Sequence, residues 1–88
     1  MRLFTDLKVS SRDYTVEYIK GLADSGSTDT VLQKVLIKDE LSNDNKFSTT
    51  IHEVLEIIND QYDLQLSHQT IQTLEVALFG FLKDNNIV

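Results

Sequence analysis

The stretch Arg12-Asp13-Tyr14-Thr15-Val16-Glu17-Tyr18-Ile19-Lys20-Gly21-Leu22-Ala23-Asp24 reads at two periods. At 3.6 residues, Tyr14, Tyr18, Ile19 and Leu22 share one side of a helix. Ser10 or Ser11 would cap that helix, and Asp13 would sit in the first turn, where the dipole favours an acid. At a period of two, Tyr14, Val16 and Tyr18 alternate as in a half-buried strand. The helical reading agrees with three further segments of helical length and sets the expected fold class.

Proline is absent, and glycine occurs only at Gly21, Gly26 and Gly80. Breaks therefore fall at polar clusters: Asp24-Ser25-Gly26-Ser27, Ser42-Asn43-Asp44-Asn45 and, more weakly, Asp63 to Ser67. A second segment, residues 28–41, has Val31, Leu32, Val35 and Leu36 as its stripe, although Lys34 to Lys38 also suits a short strand. The third, residues 49–62, repeats Ile51, Val54, Leu55, Ile58 and Tyr62 on one helical face. Ser48 or Thr50 would cap it, and Thr50 with Glu53 has capping-box spacing. The fourth, residues 67–83, is capped by Ser67 and ends at Asn85-Asn86. Leu3, Leu7 and Val9 suit a short strand or an arm. The expectation is a single helical domain over residues 1–88. Its class is all-α: a small bundle of four short helices, with or without an extended N-terminal arm.

There is no cysteine among the 88 residues, which excludes disulfides, Cys-based zinc sites and thiol nucleophiles. No apolar run reaches the ~18 residues that cross a bilayer. Met1 to Asp6 lacks the apolar core of a signal peptide, and an acidic surface is repelled by anionic lipid. A cytoplasmic protein without membrane contact is expected. No nucleophile elbow, phosphate loop or zinc-protease signature occurs, so neither an enzyme nor a cofactor is expected. His52 and Glu56 stand at i, i+4, as metal ligands can. Two ligands without an evident third predict a solvated histidine and no metal site. His68, in the first turn after Ser67, is expected at the surface.

Charge is the strongest remaining signal. Seven Lys/Arg and eight Asp/Glu precede Phe47, whereas one lysine and six acids follow it. On a wheel with Ile51 at about 0°, Glu56, Asp60 and Glu53 fall at about 140°, 180° and 200°, with Ile57 at about 240°. Glu53, Glu56, Asp60 and Asp63 would then line the face opposite the core, with Ile57 as an apolar anchor. This predicts a small acidic protein-binding module of the inhibitor, antitoxin or immunity-protein type. Its partner would be basic, such as a nuclease or a nucleic-acid-binding protein, reached by electrostatic docking. The fourth segment is apolar nearly all round, which suits a central helix packed by the other three; the alternative is an oligomer interface through Val76 and Phe79, a homodimer through this helix. Glu75 in that run would snorkel or pair with an N-terminal cation.

The run from Ile51 to Tyr62, followed by Leu64-Gln65-Leu66-Ser67 and Gln69-Thr70-Ile71, resembles a helix-turn-helix, and Phe81 to Val88 resembles the approach to a wing. That resemblance implies a transcriptional regulator or its dimerisation domain. The would-be recognition helix offers His68, Gln69, Gln72 and Thr73 but no cation before Lys83. Phosphate contacts need cations, so nucleic acid ranks below a protein partner.

Overall fold

The computed structural model describes residues 1–88 and shows four strands followed by two helices. The strands are β1 (Asp6–Val9), β2 (Arg12–Ile19), β3 (Gly26–Asp29) and β4 (Lys34–Lys38); the helices are α1 (Asn43–Gln61) and α2 (His68–Asp84). This α+β architecture corrects the expected all-α bundle. Residues 12–24 and 28–41, read as helices, form most of a four-stranded sheet of order β1-β2-β4-β3.

The period of two decides the N-terminal half. Tyr14 and Val16 of β2 are buried, as are Val35 and Ile37 of β4, while Thr15 lies exposed between its buried neighbours. Val16 stands opposite Val35, and Tyr18 opposite Ile37, in the parallel β2–β4 pair. β-Branched and aromatic side chains pack well on such a pleated, half-buried surface. The serines read as helix caps instead make a hairpin turn. Ser10 and Ser11 both have positive φ, 50° and 67°, between paired Val9 and Arg12. Positive φ at both central residues matches the right-handed twist of the flanking strands. A second turn disposes of Val31 and Leu32, expected in a helical stripe. The Asp29 carboxylate accepts from the backbone N–H groups of Val31 (3.0 Å) and Leu32 (2.9 Å), closing the β3–β4 connection. Both apolar side chains then project into solvent.

α1 lies on one face of the sheet, and α2 packs on α1 without reaching any strand. The order is sheet, α1, α2. Ser42 caps α1 by accepting from Asn45 N–H, so the helix begins a turn and a half before the expected start. Thr50, considered as a cap, is buried mid-helix and donates to the Lys46 carbonyl at 2.8 Å. Ser67 caps α2 as expected, and Asn85 ends it. The sheet-side core joins Val9, Tyr14, Val16, Val35, Ile37 and Ile57, with Phe4, Leu7, Val54 and Ile58 packed around it. Tyr18 donates its hydroxyl to the Phe4 carbonyl at 2.7 Å, tying the N-terminal segment down. Phe47 stacks on Phe4 at 4.9 Å and meets Phe79 of α2 at 5.9 Å, linking the N-terminal segment to the outer helix.

Ile57 is 2% exposed beneath α1, so Ile57→Ala should cost about 2–4 kcal/mol through lost burial and the cavity left behind. Urea denaturation checks this. Val31→Ala, at an 88% exposed turn position, should change stability by less than about 0.5 kcal/mol.

Candidate functional site

Taking Ile51 as about 0°, the buried residues of α1 (Phe47, Thr50, Glu53 and Ile57) cluster near 260° and point at the sheet. Ser48 and His52, which bond to α2, lie near 80°, almost diametrically opposite. α1 is therefore buried on two opposed sides. Its apolar stripe at 0° straddles one edge: Val54 and Ile58 pack against the core, Ile51 and Leu55 are half-buried, and Tyr62 is exposed. The other open edge carries Glu56 and Asp60.

This orientation redistributes the expected docking residues. Glu56, Asp60 and Asp63 remain accessible. Glu53, at 7% exposure, and Ile57 turn inward, although both line one cleft with Glu56, Asp60, Thr28 and Thr30. Glu53 sits against β3 and accepts from the Thr28 hydroxyl at 2.8 Å. Gly26 makes this approach possible: a Cβ there would stand 2.7 Å from Thr49 Cγ2 and 3.3 Å from Glu53 Cγ. Burial raises the Glu53 carboxyl above its ordinary value; Thr28 and His52 pull it down, and Glu56 and Glu75 push it up.

Between the helices lies a polar layer rather than a seam of leucines. His52, expected in solvent, has a side chain only 15% exposed. Its Nδ1–H donates to Glu75 Oε1 at 2.9 Å. Ser48 donates to the other Glu75 oxygen. Glu75 thus neither snorkels nor pairs with an N-terminal cation. The His68 ring meets the His52 ring edge-on at 5.4 Å. His52, His68 and Glu75 line an open polar cleft of about 390 Å³ with Asp24, Gly26 and Gln72. One ligand atom each from His52, Glu56 and His68 lies within 4.8 Å of the others. Sequence spacing gave the first two; His68 could be added only once α2 was known to fold back along α1.

α2 buries a single residue, Ile71. Leu74, Leu78, Phe81 and Val76 are 37%, 41%, 58% and 65% exposed. The two expected interface residues part company: Val76 is open, whereas Phe79 is half-buried against Phe47, with Lys83 above its ring. Gly80 has nothing within 4 Å of where a Cβ would stand. No helix is long and apolar enough to cross a membrane. Set against known protein families, curated proteins and solved structures, the chain matches none.

A raised carboxyl pKa makes ionisation a cost to the folded state. Stability from the protonated form is full below the unfolded pKa and is lost as pH rises through the folded one. Glu53→Gln should therefore be more stable than the native chain at pH 7, with the gain shrinking toward zero near pH 4. Thermal melts across that range check the sign, which reverses if the Glu53 pKa is depressed.

Proposed function

We propose that this chain is a protein-binding module that offers the outer side of α2 to a basic partner. The observation that carries the reading is the exposure of Leu74, Leu78 and Phe81 along one side of α2, with Val76 open on the opposite flank. Exposed apolar patches of this kind mark interaction surfaces. Charge argues for the character of the occupant. The chain carries a formal charge of −6, and residues 43–88 hold seven acidic residues against two lysines, Lys46 and Lys83. Glu56 and Asp60 lie on the acidic edge of α1, Asp63 follows its C-terminus, and Asp84 is in the last turn of α2. A second copy would bring like charges together, whereas a basic partner meets them favourably and is steered by them. The anchors are then the α2 residues, in place of Ile57, while Glu56, Asp60 and Asp63 contribute to the negative field that steers a basic partner. Inhibition of a nuclease or other nucleic-acid-binding protein would follow if the partner's basic site is the surface covered. Gly80 supports the same reading. A glycine inside a helix costs roughly 0.5–1 kcal/mol relative to alanine, and no intramolecular neighbour needs the space.

Wild-type chain and a Val76→Glu/Phe81→Ser double variant are used side by side to capture proteins from the native host. A basic protein retained by the wild type, lost by the variant and released by high salt is expected. A partner retained equally by both, or sedimentation of the free chain as a dimer at ~0.1 mM, would overturn the proposal. Retardation of duplex DNA at low salt would instead favour the helix-turn-helix alternative. Gly80→Ala should stabilise the free domain by about 0.5–1 kcal/mol yet weaken binding of the captured partner, because the added methyl occupies the approach.

A further inference from the structure

We propose that His52, Glu56 and His68 form a site for a divalent transition-metal ion of the zinc class. It lies between the acidic open edge of α1 and the first turn of α2, away from Leu74 and Phe81.

Its donor set is two imidazoles and one carboxylate. Nitrogen donors select zinc and its neighbours over magnesium and calcium, which take oxygen. Three protein ligands leave a fourth position for water or another ligand.

The chain supplies more than three nearby donors. An imidazole that donates from Nδ1 holds its free lone pair on Nε2. With Nδ1–H directed at Glu75, the His52 Nε2 is turned to the side where Glu56 Oε1 stands 3.8 Å away. The Ser48 hydroxyl holds the second Glu75 oxygen. Ser48, Glu75 and His52 thus form a relay in which a carboxylate fixes the tautomer and ring angle of a ligand. Metal-binding histidines are oriented in this way, and the carboxylate also raises their basicity. Surface acids that merely approach a histidine have no such support. Glu75 stands in the middle of an otherwise apolar stretch of α2, where a helix-packing role alone would favour leucine.

The dimensions fit. Tetrahedral ligands about 2.0–2.1 Å from zinc stand about 3.4 Å apart. The three donors here are spread over at most 4.8 Å. Closing the remaining ~1.4 Å against that tetrahedral spacing requires only the two mobile members to rotate. Glu56 is 43% exposed at its side chain and His68 is exposed, while the partly buried His52 stays fixed. The site joins the middle of α1 to the first turn of α2, so a bound ion would clip the weakly buried outer helix to the inner one.

Calorimetry and thermal melts on the full chain with zinc chloride, and separately with magnesium chloride, test the site. Zinc should bind one to one and raise Tm, and magnesium should do neither. His68→Ala should abolish the zinc response while leaving the metal-free melt unchanged, because His68 is exposed. Glu75→Gln still accepts from His52 but loses the charge, and should weaken zinc binding about 10- to 100-fold. Cobalt in place of zinc should give the intense visible absorption of a tetrahedral site in the wild type and lose it in His68→Ala. Absence of zinc binding, equal binding of magnesium, or wild-type zinc affinity in His68→Ala would each overturn the proposal.

Discussion

The structure depends on α1 being buried from two sides. Beneath it, Ile57 and Phe47 close the sheet's inner face; above it, Ser48 and His52 receive α2. A four-stranded sheet this small cannot hide its apolar face alone, and α2, which reaches no strand, has nothing else to pack on. Removing α1 would leave neither layer with a partner. The aromatic contacts Phe4–Phe47–Phe79 run along the same axis, so one side chain of α1 touches the N-terminal segment and the outer helix together.

This double burial explains why the sequence pattern of α1 misleads about its orientation. The apolar stripe of a one-sided helix points at the core. When two opposed sides are buried, their contributions partly cancel, and the stripe points between them, toward an edge. Ile51, Leu55 and Tyr62 occupy that edge, while the residues that meet the sheet include a threonine and a glutamate. The existence of both C-terminal helices and the bounds of α2 were legible, because capping and periodicity are local, whereas α1 starts six residues before the expected 49 at the cap Ser42. Orientation was not, because Glu53 is inside only by virtue of Thr28 and Gly26, more than twenty residues upstream. The N-terminal half fails for a different reason. Tyr14 and Tyr18 satisfy periods of two and four at once, and Ser10-Ser11 suits a cap as well as a hairpin turn. Pairing with β4, a long-range event, decides between them. Asp29 shows the same limit: its carboxylate closes a turn that an otherwise helical-looking Val31-Leu32 pair conceals.

The interface between the helices is built on specificity rather than on apolar area. Ser48, Glu75 and His52 bond to one another where hydrophobic side chains would give more burial. Polar layers of this kind are costly when incomplete, and a satisfied one fixes register because only one alignment completes its hydrogen bonds. A slip of α2 by one turn would remove Glu75 from both partners. The layer therefore sets where His68 comes to lie, and the proposed ligand set is a consequence of that register. Its third member escaped the sequence reading because proximity across a helix hairpin leaves no mark at short spacing.

α2 is also the element held least firmly. It buries one residue, Ile71, and is otherwise retained by the Phe79 contact, the Glu75 network and the Lys83–Asp44 ion pair at 3.3 Å, whose side chains are 41% and 53% exposed. An exposed pair contributes about 0–1 kcal/mol. Elements with few buried contacts sit at the low end of local stability, and binding segments are drawn from that end. A partner covering Leu74 and Phe81 and an ion bridging Glu56 to His68 would act on the same helix from opposite edges. Each would bind the docked helix in preference to the loosened one. By linkage, occupancy of one site would then favour occupancy of the other, without either ligand touching the second.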